Sequence, residues 1–244
     1  MIKQNENKEL QMLGDNRLAQ IDCLVKPPLN TFENKDCMDI LIKCPADYFD
    51  LAIVDPPYMN DTAYLESLNA TRSINFNYDN IRNNAPGVAY FNELKRVSKN
   101  QIIFGGNYFT DKLEPSRCWI IWYKKQTIET YADCELAWTS FNKNSKVIEL
   151  ESYGFNHADK RLRGEATIHP TQKPVALYKW ILNRYATPGM KILDTHVGSG
   201  SSLIACIEAG YDYYGTEINE EYFRKAKNRI GGASRMYGLF ERSV

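Results

Sequence analysis

Residues 55–58, Asp-Pro-Pro-Tyr, bring a carboxylate, a rigid turn and an aromatic ring together. They follow an apolar run at 51–54, which is typical of a buried parallel strand. Open α/β sheets bind their ligands at the carboxyl ends of such strands. Asp55 can accept hydrogen bonds from an exocyclic amine, Pro56 holds its carbonyl stiffly because proline fixes φ, and Tyr58 offers a face for stacking. The tetrapeptide predicts a site for a planar amino group, although Pro-rich turns also end strands in other proteins.

A second group of candidate residues follows the short apolar strand 191–194. Gly198 and Gly200 lie in a turn before a helical run, and glycine lets the backbone turn tightly and approach a ligand. The next strand ends in Glu217, about 20 residues later, a spacing typical of adenosine sites in which the acid binds ribose hydroxyls. Asp194 would repel a diphosphate but could hold the ammonium group of an amino-acid moiety.

Other Gly-rich motifs do not match this turn. A phosphate-binding P-loop requires Gly-Lys-Ser/Thr, and no lysine follows Gly200. The dinucleotide fingerprint requires a third glycine where Leu203 stands, and a nucleophile elbow requires glycine at Val197.

Together the two groups resemble the AdoMet-dependent amino-methyltransferases of DNA. The family's catalytic motif D/N/S-P-P-Y/F/W is matched by residues 55–58, and its D-P-F-x-G-S-G-T-like cofactor motif by residues 194–202. In the cofactor motif, Thr195-His196 replace the usual Pro-Phe, and Ser201-Ser202 replace Thr-Thr.

Two further segments carry the same resemblance. Residues 169–174, His-Pro-Thr-Gln-Lys-Pro, are similar to the family segment that borders the AdoMet pocket. Residues 34–41 resemble a G-D-x-x-x-x-L stretch that contacts the cofactor adenine, with Lys35 in place of glycine. The catalytic motif precedes the cofactor turn, an order that resembles the permuted beta group of the family.

The resemblance implies an α/β fold, a Rossmann-like AdoMet-dependent methyltransferase fold whose mostly parallel seven-stranded sheet is flanked by helices. Residues 1–244 would form a single catalytic domain. The implied function is a site-specific DNA methyltransferase that transfers a methyl group from S-adenosyl-L-methionine to the N6 amine of a flipped-out adenine in double-stranded DNA, as in restriction-modification systems. Three alternatives stay open: cytosine N4 methylation, adenine N6 methylation of RNA, and an inactive nucleic-acid-binding subunit.

The resemblance also implies the site residues. The catalytic residues would be Asp55, Pro56, Pro57 and Tyr58. The cofactor contacts would be Asp36, Cys37, Asp55, Thr171, Lys173, Asp194, Thr195, His196, Gly198, Ser199, Gly200, Ser201, Ser202, Glu217, Ile218 and Asn219. AdoMet's sulfonium makes its methyl group reactive without a metal, and no metal ligand set is predicted.

Two polar segments are predicted to contact nucleic acid. Residues 59–86 form an Asn-rich loop that would lie over the target pocket, because long irregular loops in compact domains are commonly functional. Residues 141–168 resemble a short target-recognition insertion. The nucleic-acid contacts proposed from the sequence are Arg72, Arg82, Lys124, Lys125, Lys160, Arg161 and Arg163.

Composition sets the wider expectations. The chain has 244 residues, 43% hydrophobic and 25% charged, as in a soluble globular protein. It has no apolar stretch long enough to span a membrane, and its six scattered cysteines are typical of a cytoplasmic protein. A formal net charge of +0 is unusual for a DNA-binding chain. We therefore expect one chain to contact only a short stretch of duplex DNA, and a homodimer to double the contact surface.

Overall fold

The computed structural model describes residues 24–58, 85–126, 129, 132–152, 157–169 and 171–241. Its eight strands are β1 (Thr31–Glu33), β2 (Phe49–Val54), β3 (Ser98–Phe104), β4 (Trp119–Tyr123), β5 (Cys134–Thr139), β6 (Lys146–Glu149), β7 (Lys191–Asp194) and β8 (Asp212–Thr216). Its α-helices are α1 (Cys37–Leu41), α2 (Val88–Val97), α3 (Ala158–Arg163), α4 (Val175–Tyr185), α5 (Ser201–Ala209) and α6 (Glu220–Glu241). A 3₁₀ turn, Gly106–Tyr108, follows β3.

The described strands form one sheet in the order β1-β8-β7-β2-β3-β5-β4-β6. The first five strands in this order run parallel, with β2 at the centre between β7 and β3. The carboxyl ends of β2, β7 and β8 therefore meet at one edge of the sheet, which brings the 55–58 tetrapeptide close to the turn after β7.

The remaining strands make the sheet mixed. β5 is antiparallel to both β3 and β4, and β6 runs parallel to β4 at the far edge. The predicted α/β fold is confirmed, but the predicted count of seven strands is wrong by one. The eighth strand, β6, lies inside residues 141–168. Its pattern is weak because, of its four residues, only Ile148 is buried.

Helices cover both faces of the sheet. One apolar cluster contains buried side chains of α4, α5 and α6, and the other contains buried side chains of α1 and α2. In α2 the buried residues are Tyr90, Phe91, Leu94 and Val97, a spacing that places them on one helical face. Burying each such side chain contributes about 1.5–3 kcal/mol, so packing on the sheet holds these helices in place.

The last helix differs from the sequence-based expectation. Its charge pattern predicts a stop near Arg229, with Gly231 beyond the end, but α6 continues to Glu241. Tyr222, Ala226, Ile230 and Ala233 are all buried and lie on one face of α6. This packing outweighs glycine's helix penalty of about 1 kcal/mol per residue. Among the described helices, none has the length and apolarity needed to cross a membrane.

Candidate active site

Asp55 follows the last residue of β2 and lies against the 169–174 segment. Its Oδ2 atom accepts a hydrogen bond from the ammonium group of Lys173. Its Oδ1 atom is shielded from solvent and has no hydrogen-bond partner within the described residues. A buried carboxylate oxygen without a donor is costly, so this atom is suited to accept a hydrogen bond from a ligand.

Lys173 belongs to a cluster of four side chains of alternating charge, in which successive ion pairs link Asp55, Lys173, Glu135 and Lys124. Its side chain is 3% exposed, and its Nζ lies 3.1 Å from Oε2 of Glu135 on β5. The other oxygen of Glu135, Oε1, lies 2.6 Å from Nζ of Lys124, just after β4. The sequence predicts Lys173 as a cofactor contact and Lys124 as a nucleic-acid contact. The structure places both in the charge cluster around Asp55, and the two predicted contacts stay predictions.

The cluster changes the protonation equilibria of its members. Burial raises the pKa of Asp55, and the nearby ammonium of Lys173 offsets this only in part. Burial also acts to raise the pKa of Glu135, but Lys173 and Lys124 outweigh it and lower that pKa to about 2. Burial would lower the pKa of Lys173, yet Asp55 and Glu135 raise it well above its usual value. Lys173 and Glu135 are therefore both charged near neutral pH.

Glu135 was not singled out from the sequence. The sequence does contain an indication of its role, because Glu135 is a charged residue inside the apolar run of β5, between Cys134 and Leu136. Its partners could not be identified, because the sheet order β3-β5-β4 differs from the order along the chain.

Tyr58 completes the tetrapeptide with an aromatic stack. Its ring lies parallel to that of Tyr108, with centroids 4.7 Å apart and an interplanar angle of 10°. Gly105 has a φ of +67°, and a Cβ atom there would lie 2.4 Å from Cδ1 of Tyr58. A side chain at position 105 would therefore displace the Tyr58 ring. The turn after β3 thus sets the position of the predicted stacking platform.

The turn after β7 is built around two acids. Asp194 accepts hydrogen bonds from the backbone N–H of His196 and the hydroxyl of Ser202. Glu217 accepts from the N–H of Gly198 at 2.9 Å and from the N–H of Asn219 at 2.8 Å. These contacts place both carboxylates at the turn that the sequence predicts to hold the cofactor.

Asp194 is buried, and no cationic side chain within the described residues forms an ion pair with it. Burial raises the pKa of Asp194 to about 7, and the negative charges of Asp55 and Glu217 act in the same direction. Burial also raises the pKa of Glu217. Such an arrangement favours a ligand that brings positive charge to the turn.

The two glycines of the turn have different environments. Gly198 has a φ of +53°, and a Cβ there would meet only the ring of His169, at 3.7 Å. Gly200 has a φ of +85°, and its Cβ would lie 3.0 Å from Cγ1 of Ile230 on α6. Gly200 thus also accommodates the packing of α6, and the ligand contact predicted for it from the sequence stays a prediction.

The residues that replace Pro-Phe form a buried hydrogen-bonded chain. The hydroxyl groups of Tyr90 and Thr195 are 2.7 Å apart, and Oγ1 of Thr195 is 2.9 Å from Nδ1 of His196. Burial lowers the pKa of His196 to about 4, so this ring is neutral. The side chain of Thr195 thus links α2 to the cofactor turn.

Residues 34–37 are also brought to the cofactor turn. The amide of Asn34 donates to the carbonyls of Glu217 and Ile218, at 2.7 and 3.1 Å. Asp36 caps α1 by accepting a hydrogen bond from the N–H of Met38, at 2.9 Å. The structure thus assembles the predicted adenine-contacting stretch beside Glu217.

The 169–174 segment contacts both parts of the site. At one end, His169 lies beside Gly198, its ring 4.3 Å from that of Tyr222, and burial lowers its pKa to about 3. Thr171 donates its backbone N–H to Nδ1 of His169 at 3.3 Å. At the other end, Lys173 contacts Asp55.

Several basic residues predicted to contact nucleic acid form ion pairs. Lys125 pairs with Glu149 at 2.5 Å, and Arg161 with Glu151 at 2.8 Å. Arg163 is largely buried between Glu165 and Glu208. Lys160 is exposed on α3. Arg72, Arg82 and most of the 59–86 loop lie outside the described residues, and a nucleic-acid role for these positions stays a prediction.

Comparisons with known proteins identify the family, through a match that begins after the 55–58 tetrapeptide. A sequence model of the N6/N4 DNA methylases, described as DNA methylase, matches residues 63–228. The DNA adenine methyltransferase YhdJ of Escherichia coli strain K12 is 40% identical over 73 residues, which cover 30% of this chain and 25% of YhdJ. The first curated relatives are matched over 20–30% of their own length.

Solved structures share the fold. The M1.HpyAVI–SAM complex superimposes with a TM-score of 0.52 at 20% identity, over 82% of this chain and 98% of that chain. The cytosine-N4-specific PvuII DNA methyltransferase superimposes with a TM-score of 0.55 at 13% identity, over 85% of this chain and 91% of that chain. The family match spans about two thirds of the sequence and includes the buried Lys173 and the Gly198 turn. The chain belongs to the N6/N4 DNA methylase family.

Proposed function

We propose that this chain is a DNA methyltransferase that transfers a methyl group from S-adenosyl-L-methionine to the N6 amine of adenine. The observation that carries the proposal is Oδ1 of Asp55, a buried carboxylate oxygen with no donor among the described residues. It lies at the carboxyl end of β2, beside the turn after β7. An amino group bound there would supply the missing hydrogen-bond donor.

The residues around the turn fit AdoMet. Asp194, buried and without an ion-pair partner in the described part of the chain, would bind the ammonium group of the methionine moiety. Glu217, held by the N–H groups of Gly198 and Asn219, would accept the ribose hydroxyls. When bound, AdoMet supplies a methyl group activated by the adjacent sulfonium.

The chain's own residues would then orient the target amine. Oδ1 of Asp55 and the carbonyl of Pro56 would accept its two hydrogens, which directs the nitrogen lone pair towards the cofactor turn. The ammonium of Lys173 favours the charged form of Asp55 against the effect of burial, and a charged acceptor forms the stronger hydrogen bond. Transfer then depends on positioning, and no covalent intermediate with the protein is required.

Tyr58 would stabilise the base outside the duplex. Extruding a base costs a few kcal/mol, and stacking on an aromatic ring contributes about 1–3 kcal/mol. Gly105 and Tyr108 fix the Tyr58 ring beside Asp55, so stacking and amine binding would act on the same base.

The proposal also specifies adenine, rather than cytosine, as the target base. The Asp-Pro-Pro-Tyr sequence resembles the adenine branch of the family, and YhdJ is named as an adenine enzyme. The same acceptors would suit the N4 amine of cytosine, the base of the PvuII enzyme. Cytosine is therefore the second candidate, and double-stranded DNA is the proposed substrate for either base.

Mapping of modified bases tests the proposal. The chain is expressed in a host that lacks DNA methyltransferases, and the host DNA is read by single-molecule sequencing. We expect N6-methyladenine at one short sequence, and none when Asp55→Ala replaces the wild type. N4-methylcytosine instead would favour the second candidate, and unmodified DNA from a host that contains the folded protein would contradict the proposal.

A further inference from the structure

The charge cluster beside Asp55 contains more groups than amine binding requires. Asp55, Lys173, Glu135 and Lys124 alternate in sign along one line, from the end of β2 to the end of β4. Taking charges out of water costs several kcal/mol each. An ion pair of Lys173 with Asp55 alone would already bring two opposite charges together, so the presence of Glu135 calls for a separate explanation.

The geometry around Lys173 provides one. Its ammonium donates a hydrogen bond to Oδ2 of Asp55 and lies at an ion-pair distance of 3.1 Å from Oε2 of Glu135, an oxygen that accepts no hydrogen bond within the described residues. A lysine ammonium has three donors, and Oδ1 of Asp55 is a buried acceptor without a partner among the described residues. Without the attraction of Glu135, the ammonium would gain energy by bridging both oxygens of Asp55.

We propose that Glu135 is a positioning residue that holds Lys173 on the Oδ2 side of Asp55 and so keeps Oδ1 open for the target amine. Lys124 fixes Glu135 through its other oxygen, at 2.6 Å. This inference rests on the proposed amino-methyl transfer. It adds that the acceptor is kept free by a residue that does not touch the substrate.

The packing of β5 does not require a carboxylate at position 135. The backbone of Glu135 pairs with Trp122 of β4 through main-chain hydrogen bonds, which are independent of the side chain. Glutamine has nearly the same shape as glutamate and would preserve this pairing. It would remove the negative charge that attracts Lys173.

The test compares Glu135→Gln, Lys173→Met and the double variant by tritium transfer from methyl-labelled AdoMet to genomic DNA of a methylation-deficient host. Glu135→Asp, which retains the charge, is the rescue variant. Glu114→Gln is the control, because it removes the acid of another acid–lysine pair, with Lys95 of α2 at 2.7 Å, which belongs to neither the charge cluster nor the cofactor turn. Circular dichroism and AdoMet titration establish that each variant is folded and binds the cofactor.

We expect Glu135→Gln to lower kcat about 10- to 100-fold, the scale of a misplaced reacting group, with unchanged AdoMet affinity. Glu135→Asp should recover part of the loss, and Glu114→Gln should behave as wild type. In the Lys173→Met background, Glu135→Gln should add no further loss, because Glu135 acts through Lys173. An equal loss in both backgrounds would overturn the inference.

The acidic limb of the pH profile gives a second readout. Asp55 must be charged to accept the amine, so activity falls as pH drops through its pKa. Removing Glu135 should move this limb to lower pH, because a negative charge is lost and Lys173 approaches. Removing Lys173 should move it to higher pH. The charged and titratable groups that face Asp55 are Lys173, Glu135, Lys124, Tyr58, Tyr90, Tyr178 and Asp194.

The outcomes separate this inference from the proposed function. A wild-type chain that binds AdoMet but transfers no methyl group would refute the proposed function, and the role of Glu135 with it. An active wild type whose Glu135→Gln variant keeps its kcat and its acidic limb would overturn only the positioning role. The positioning role would also be contradicted if the acidic limbs of the Glu135→Gln and Lys173→Met profiles moved in the same direction.

Discussion

Arg229 of α6 donates a hydrogen bond to Oδ2 of Asp159 over 2.7 Å, and this pair joins the two parts of the active site. Asp159 accepts the N–H of Val175 and the side-chain amide of Gln172, on either side of Lys173. Arg229 also donates to the carbonyl of Ser199, at 3.0 Å, in the cofactor turn. One buried ion pair therefore sets the position of Lys173 relative to the AdoMet turn.

Removing either partner of this pair should destabilise the fold strongly. Asp159 and Arg229 are 1% and 8% exposed, so Arg229→Met leaves the buried Asp159 without its cation, while Asp159→Asn removes one of the two acids that bind Arg229, the other being Glu165 at 2.7 Å. We expect a loss of about 3–5 kcal/mol in the free energy of unfolding, measured by urea denaturation. Glu221→Gln breaks an exposed pair with Lys225 on the same helix and should have little effect. Similar midpoints for the Asp159 and Glu221 variants would contradict the role given to the pair.

Cofactor binding should depend on pH through Asp194. Below its pKa of about 7 the free carboxyl is protonated, and a cationic ligand binds the charged form. AdoMet affinity should therefore rise with pH up to about 7, by as much as about tenfold per unit, and then level off. His169 and His196 have pKa values of about 3 and 4, and so stay neutral across this range.

Isothermal titration between pH 5.5 and 8 in buffers of different ionisation enthalpy would measure both the affinity and the protons released. Asp194→Asn should bind AdoMet more weakly and with a flatter pH dependence. A wild-type affinity that is constant over this range, with the protein folded throughout, would argue against an ammonium contact at Asp194.

Gly105→Ala should impair methyl transfer more than it impairs folding. A left-handed backbone costs a residue with a Cβ about 1–2 kcal/mol, and at position 105 that Cβ would also displace Tyr58. Gly210→Ala is the matched control, because Gly210 has a φ of +71° with open space around it. Both variants should lose similar stability in thermal melts, but only Gly105→Ala should lose turnover. Equal turnover in the two variants would show that the position of the Tyr58 ring does not affect methyl transfer.

The sequence predicts the parts of the site that are local. The strand before Asp55 and the turn at Gly198 are each formed by a few consecutive residues, and Glu217 follows Gly198 by 19 residues. The parallel order of the central strands then brings these distant segments together. The part played by Glu135 depends on β5 inserting between β3 and β4, a long-range pairing that no local pattern specifies. The same is true of Gly200, whose role is set by Ile230 on a distant helix.

The sequence-based prediction of helix and strand boundaries was wrong where tertiary packing overrides local sequence preference. β6 has one buried residue in four, and so gives no alternating pattern. α6 passes through Gly231 because Ile230 and Ala233 are both buried on the face that meets the core. The burial of charged residues is not specified by local sequence. Lys124 and Arg163 are typical of surface cations in the sequence, but in the fold they form ion pairs with partly buried acids.

The most direct test of the account is Asp55→Ala, followed by paired measurements of AdoMet binding by titration calorimetry and of tritium transfer to unmethylated genomic DNA. In the proposed function Asp55 binds the target amine, while Asp194 and Glu217 lie at the turn after β7. We therefore expect AdoMet affinity close to that of the wild type and no detectable methyl transfer. Retained turnover in Asp55→Ala would contradict the account.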